Sequence, residues 1–453
     1  MFVGRKKEIA YLEDLYKKNR TDILCLYGHR GVGKTSLVLS FAAARGCYYY
    51  EARPVSDELA VEIACGENGG NPGGEENIFS SFFKSIKYQG GKEGEKKVLI
   101  IDEFQNLIKN DESFIEALIE YTKTVPEHVL VIFISSSISF VENALVPKIG
   151  QYARMFSGFY KLLPLSFVDC VSYFSGYDTE NCMKVYSLLG GMPSYWSKFS
   201  DKISVDDNIK RCILHPDAYL RNEGARIVGE ELREVNVYST ILYYLSHGFN
   251  KLNELHVKTG FSRAKISVYI KNMMERELVE KVFSFDDASS INAKKGIYRI
   301  RNPYLHFYYR FIFSMESRLV LMGPSKYFES FVKAGLDDFY EEHFRIVCTE
   351  FLSLLSGMGK LPIKAEKTGE WVGKRGNIDV VMQDDDDNTL VAYCSWKKDI
   401  ITLKDYKHYI SLASDARIHP DYIMILARGE FEKPLSDLTK EVDNIMLVQA
   451  SSL

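Results

Sequence analysis

Unbroken apolar runs at 23–27, 98–101 and 129–134 alternate, along the first part of the chain, with longer segments whose hydrophobic positions recur at helical spacing. Strands buried on both faces read as such runs, so the pattern predicts a parallel sheet with crossover helices, an α/β unit. The run at 23–27 leads into a glycine-rich turn and a helix carrying Leu37 and Phe41. The run at 98–101 is followed by helical spacing from Ile108 to Tyr121, and the run at 129–134 by a Ser-rich loop. Two segments, Gly66–Glu76 and Tyr88–Lys97, are too rich in glycine and charge to hold a fixed backbone easily. They are expected to be mobile loops flanking a helix around Phe79–Ile86.

Beyond Gly190 the pattern turns helical, and Val235–Leu245 reads as a helix with Tyr238, Ile241, Leu242 and Leu245 on its apolar side. Leu252 and Leu255 mark a short helix, Gly260 a turn and Ser262 a cap. Ile266, Ile270 and Met273 then repeat on a second helix. Val279–Phe283 and Ile297–Ile300 follow as strands around a polar loop, which gives the shape of a winged helix. An aromatic tract (Tyr304, Phe307, Tyr308, Phe311, Phe313) bridges to a last α/β part through buried rings. There, a helix with Glu341, Phe344, Val347 and Phe351 precedes strands at 378–382 and 390–393. Asp384–Asp387 at the tip between them reads as a solvated hairpin end or, less commonly, a cation site. Boundaries fall at 1–165, 166–232, 233–302 and 303–453.

Composition narrows the function. Lys and Arg total 57 against 61 Asp and Glu in 453 residues, a net −4, so a globally basic nucleic-acid coat is excluded and any DNA contact is confined to one region. The eight cysteines include no C-x-x-C pair, and the N-terminus lacks a signal-peptide core. Reduced thiols in the cytoplasm are expected, with no membrane span.

Gly28-His29-Arg30-Gly31-Val32-Gly33-Lys34-Thr35 fits G-x-x-x-x-G-K-[ST] and lies between an apolar strand and a helix that continues through Ser36. The glycines let backbone amides wrap a phosphate, Lys34 reaches the β- and γ-phosphates, and the Thr35 hydroxyl is placed to ligand Mg²⁺. Asp102 and Glu103 end the second strand: Asp102 holds the metal through water, and Glu103 orients or deprotonates the attacking water. An acidic pair at a strand end also serves as a helix cap. Ser136, in the Ser-rich loop, reads either as a γ-phosphate or water sensor or as plain loop. Arg154 reads either as a supplier of charge to the transition state, from its own chain or a neighbour's, or as a surface arginine. ATP and Mg²⁺ are the only cofactors this chemistry needs.

These boxes, in this order, resemble the archaeal-type ATPases of the AAA+/STAND group that carry a winged helix and a C-terminal nuclease-like domain. Phe2-Val-Gly4-Arg5-x-x-Glu8 is similar to their N-terminal box, which packs on adenine or simply begins the first helix. Ile101–Gln105, Ile134–Phe140, Pro164–Phe167, Gly190–Pro193 and Tyr298–Pro303 continue the match. The resemblance implies an ATPase core at 1–165, a helical lid at 166–232 with Gly190–Pro193 beside the nucleotide, a winged helix at 233–302, and a restriction-endonuclease-like PD-(D/E)xK fold within 303–453.

Asp379 matches the first metal-binding acid of that last fold. Where the family reads Gly-Glu-Cys-Lys-Trp, however, this chain has Ala392-Tyr393-Cys394-Ser395-Trp396. Tyr393 is no metal carboxylate and Ser395 no ammonium, so the nuclease centre is expected to be inactive unless Glu341 and Lys397 compensate. Arg263 and Lys265 open the second helix of the helix-turn-helix, where such domains meet double-stranded DNA. Lys294 and Lys295 add charge to the wing loop. Packing of the winged helix against the lid is the competing role.

Three functions are consistent with this sequence: an ATP-hydrolysing switch that is DNA-associated, a slow-turnover ATP/ADP switch that recruits a protein partner or a second copy through its C-terminal part, and an ATP-coupled metal-dependent nuclease.

Overall fold

The structure is a computed structural model that describes residues 3–67, 69, 77–108, 112–285 and 296–452. Phe2, most of the Gly66–Glu76 loop, and Lys294 and Lys295 lie outside the described residues. The chain forms two compact units. One comprises the residues up to Leu165 together with Met192–Ser194; the other comprises Ser166–Gly191 and Tyr195 onward.

The first unit is built on a five-stranded parallel sheet of β1 (Asp22–Tyr27), β2 (Cys47–Glu51), β3 (Lys97–Asp102), β4 (Val129–Ser135) and β5 (Phe156–Lys161), in the order β2-β3-β4-β1-β5. The three runs read from sequence are its middle strands, β4 being buried at every position. The flanking β2 and β5 carry alternating burial, a weaker signal than an unbroken run. Registers of Tyr27 with Ser135, and of Glu51 with Asp102, bring the C-terminal strand ends to one edge of the sheet. Ligands bind at that edge in open α/β sheets. A core of Phe79, Phe82, Phe83, Phe104, Phe114 and Phe133 packs one face.

Two expectations change here. The helix foreseen from Ile108 is Ser113–Thr124, because Phe104–Asn106 first makes a tight 3₁₀ turn behind Glu103. The Tyr88–Lys97 loop is pinned rather than loose. Gln89 exchanges two backbone hydrogen bonds of 2.9 Å with Cys47, and the Lys96 ammonium reaches the buried Asp22 at 3.1 Å.

In the second unit, Val235–Ser246, Leu252–Thr259 and Arg263–Met274 are helices, with Gly260 left-handed at the turn (φ 71°) and the Ser262 hydroxyl accepting from the Lys265 amide. An antiparallel pair follows, β6 (Val279–Val282) with β7 (Ile297–Ile300). The aromatic tract is mostly the helix Pro303–Phe311, its rings buried, with Phe307 and Phe311 against Phe339 of the long helix Leu336–Gly357, whereas Phe313, on the 3₁₀ turn Phe313–Met315 that follows, is exposed rather than buried. A mixed sheet comes next. It contains β8 (Lys367–Val372), β9 (Asn377–Gln383) and β10 (Thr389–Ser395). After the short β11 (Ile400–Ile401) it adds β12 (Tyr422–Ala427) and, past β13 (Glu430–Phe431), β14 (Ile445–Gln449). The order is β14-β12-β10-β9-β8, parallel on the β10 side and antiparallel on the β8 side.

Ser284 and Phe285, just past β6, extend this sheet. The Phe285 amide donates to the Glu370 carbonyl at 2.8 Å, and the Phe285 ring is buried in the core of Ile378, Val391 and Leu412. Among the described residues, no helix is long and apolar enough to cross a membrane.

Candidate functional site

The phosphate loop runs from Gly28 to Thr35 between β1 and the helix Lys34–Ala42. Gly28, Gly31 and Gly33 have φ of 151°, 82° and 98°, values that L side chains rarely adopt. Added Cβ atoms at Gly28 and Gly31 would also stand 2.4 Å from the Leu162 carbonyl and 2.2 Å from the Ser194 hydroxyl. The loop closes around its own lysine: Lys34 Nζ donates to the Gly28 carbonyl at 2.8 Å and the His29 carbonyl at 2.9 Å. Burial pushes its ammonium down to about 8, against the pull of Glu103 and Asp102 and with a push from Arg30. Val32 is buried beneath the loop, whereas His29, Arg30 and Ser36 retain contact with solvent.

Asp102 ends β3 almost fully buried. Its Oδ2 accepts from Thr35 Oγ1 at 2.6 Å and from the Tyr49 hydroxyl at 3.2 Å, so the two halves of the phosphate site meet directly. Burial, and then the Asp102 charge, push the Tyr49 phenol up. Glu103 takes a left-handed backbone, φ 49°, which turns its side chain across the strand ends. Its Oε2 accepts from Ser136 Oγ at 2.7 Å, the Ser136 amide at 3.3 Å and Gln105 Nε2 at 2.5 Å.

Arg154 lies apart from this network, exposed on the 3₁₀ turn Gly150–Met155 that precedes the edge strand β5. Just past the Gly190–Pro193 box, the Ser194 amide donates to the Gly31 carbonyl at 3.3 Å. Three residues that spacing did not single out as site residues join the site: Tyr49, Gln105 and Arg5. Arg5 stands in the N-terminal box, but its link to the phosphate loop has no signature in the sequence.

The C-terminal acids are arranged differently. Asp379 on β9 accepts from the Cys394 amide at 2.9 Å, and Glu341 accepts from the Trp396 and Lys397 amides at 2.6 and 2.8 Å. Burial pushes Asp379 up to about 6. The Cys394 amide and Arg345 oppose this, while Glu341 and Glu370 add to it. Lys397 pairs with Asp338 at the surface and does not turn toward Asp379. Tyr393 is buried and stacks on Tyr409 with centroids 4.3 Å apart, and Ser395 is buried as well. Glu370 beside them is bound by Arg299 through both oxygens, at 2.6 and 2.7 Å, and by Arg345 at 3.4 Å. Among the described residues, no group of three or more His, Cys, Asp or Glu side chains is placed to hold a metal ion. The Asp384–Asp387 tip is a tight turn in which Asp384 accepts from the Asp386 and Asn388 amides.

Arg263 and Lys265 are exposed at the start of their helix. Arg263 donates to Asn253 at 2.5 Å, and the Lys265 ammonium lies over the Phe261 ring at 4.8 Å.

Residues 2–199 match an ATPase domain found predominantly in Archaea, and residues 308–408 match a domain of archaeal and bacterial proteins of unknown function. An uncharacterized protein of Methanocaldococcus jannaschii, MJECL04, is 30% identical over 414 residues, 88% of each chain. Among solved structures, the Walker-type ATPase PABY2304 of Pyrococcus abyssi is 16% identical with a TM-score of 0.46, covering 68% of this chain and 96% of its own. The ORC2 protein of Aeropyrum pernix, solved in ADPNP–ADP complexes, is 12% identical with a TM-score of 0.41 over 75% of this chain and 94% of its own. With an intact phosphate loop, an acid-ended neighbouring strand and a relative matching along nearly its whole length, the chain belongs to the archaeal-type P-loop ATPase family.

Proposed function

We propose that the protein is an Mg²⁺-dependent ATP-binding and hydrolysing switch whose nucleotide state governs a DNA-associated second unit. The observation that carries this reading is the 2.6 Å hydrogen bond from Thr35 to Asp102, which joins phosphate loop and acidic strand end into one site. Those two oxygen donors suit a hard divalent cation, so Thr35 and Asp102 are the residues that would hold Mg²⁺. Mg²⁺ held by Thr35 and Asp102 would supply positive charge against that of the phosphates. Lys34 leaves the Gly28 and His29 carbonyls for the phosphate oxygens, and the amides of Gly28–Ser36 cradle the rest. Glu103 then orients the attacking water and takes its proton.

Glu103 reaches that role only after releasing Ser136 and Gln105, and this favours slow basal turnover. It lends support to the second reading, a switch that holds nucleotide and recruits a protein partner. Ser136 serves as the sensor that moves with Glu103, and Arg154 acts, if at all, from a surface position.

DNA association is proposed through the winged helix, with Arg263 and Lys265 offered to phosphates and base edges. The nuclease-like part is read as inactive, because backbone amides hold Asp379 and Glu341 and Lys397 is engaged elsewhere.

The test is a pair of variants measured for ATP binding and turnover with and without duplex DNA. Lys34→Ala is expected to lose ATP binding. Glu103→Gln is expected to bind ATP while turnover falls about a hundredfold or more. Unchanged hydrolysis in Glu103→Gln removes Glu103 from its role, and DNA that neither binds nor alters turnover sinks the DNA arm.

A further inference from the structure

We infer that Arg5 is a positioning residue for the phosphate loop, holding the peptide between Val32 and Gly33 so that its N–H faces the phosphates, and that it does not read the base. The inference rests on the ATP-binding reading above and assigns the N-terminal box its part in that site.

Arg5 sits at the start of the helix Lys6–Lys17, in the left-handed region (φ 66°) directly after a left-handed Gly4 (φ 72°). Two consecutive residues in that region turn the chain sharply, and a non-glycine residue there stores about 1 kcal/mol or more of strain. The turn carries the guanidinium inward, leaving its side chain only 6% exposed. Arg5 Nη2 donates to the Val32 carbonyl at 2.9 Å, and Nη1 donates to Glu8 Oε1 at 3.2 Å. Glu8, one helical turn on, thus fixes the plane of the fork while the fork fixes the loop.

The consequence follows from peptide geometry. Among the described residues no peptide bond is cis, and in a trans peptide the C=O and the following N–H point in opposite directions. A carbonyl of Val32 drawn toward Arg5 therefore turns the Gly33 N–H away from Arg5, to the other side of the peptide. Gly33, with φ of 98°, borders this peptide on its C-terminal side and leaves it freer to rotate there than a residue with a Cβ would. An external clamp compensates for that freedom, lowering the entropy that the loop loses when phosphate arrives. A buried charge-assisted hydrogen bond is strong enough for the task.

A base-reading arginine and a loop-clamping arginine differ in which ligands they affect. The full-length chain, its Arg5→Ala variant and its Arg5→Lys variant are titrated with ATP, GTP and inorganic tripolyphosphate by competition against a fluorescent ATP analogue. Thermal unfolding is followed in parallel. In Arg5→Ala all three ligands are expected to weaken by a similar factor, about tenfold or more, with the ATP-to-GTP preference unchanged. Arg5→Lys, which keeps one donor and the charge, is expected to recover part of the loss for all three. Weakening confined to ATP, with tripolyphosphate unaffected, overturns the inference in favour of base recognition. Unchanged binding of all three by a folded Arg5→Ala variant overturns it outright. If the unaltered chain binds none of the three, the ATPase reading itself falls and this inference falls with it.

Discussion

The two units each place acids at or beside the C-terminal ends of sheet strands, yet they satisfy those acids by different means. In the first unit Asp102 and Glu103 are held by side chains, the hydroxyls of Thr35, Tyr49 and Ser136 and the amide of Gln105, and also by the main-chain amides of Glu103 and Ser136. In the second, one oxygen each of Asp379 and Glu341 accepts only from main-chain amides, those of Cys394, Trp396 and Lys397. A side chain swings away when a cation or water arrives, whereas a backbone amide in a sheet or at its end moves only if the strand does. Similar residue types thus make a responsive site in one place and a fixed brace in the other.

The largest expected effect separates the two directly. Asp102→Ala should lower ATP turnover about a thousandfold, while Asp379→Ala, if folded, should leave it unchanged. Equal losses in the two variants would erase the distinction.

A smaller effect concerns stability. The Asp379 carboxyl has a folded-state value of about 6, raised above its ordinary 3.8. Its ionisation therefore opposes folding: the penalty is absent below about pH 4 and complete above about pH 6, where it reaches about 3 kcal/mol. Asp379→Asn lacks this penalty, so the variant should match the parent near pH 4 and gain on it as pH rises to 7. A stability difference that does not change with pH, measured by urea unfolding, refutes this.

Glu370→Gln leaves Arg299 and Arg345 without their shared carboxylate and should cost about 2 kcal/mol in the same assay, with ATP binding intact. An unchanged midpoint would mean that the bidentate pair contributes little. Least of all, Tyr49→Phe removes one neutral donor from Asp102 and should change turnover or apparent Mg²⁺ affinity about fivefold. No change in either quantity leaves Asp102 dependent on Thr35 and the Glu103 amide.

What could be read from the sequence follows the range over which each feature is encoded. The phosphate loop is eight consecutive residues, and Asp102 and Glu103 announce themselves by ending an apolar run, so both were legible. The contact from Tyr49 to Asp102 was not, because it depends on β2 lying next to β3, a fact of sheet order that no local spacing carries. The helix onset was placed near Ile108 because the apolar spacing continues through the 3₁₀ turn behind Glu103. Arg299 and Glu370 stand 71 residues apart and meet only through tertiary structure. Tyr393 was legible only as a residue type where the resembled family carries Glu. Its new employment, stacked on Tyr409, was not.

The attachment of Phe285 to the β8 edge bears on how the molecule can be dissected. A fragment beginning at residue 303 would leave behind the Phe285 ring and the main-chain partner of Glu370, exposing an open sheet edge beside a ring-sized hole. Such a piece invites self-association in place of the missing segment, whereas a fragment beginning at Val235 carries its own plug. Expression trials that treat the C-terminal sheet as separable from the preceding hairpin would therefore report on aggregation rather than on the protein's chemistry.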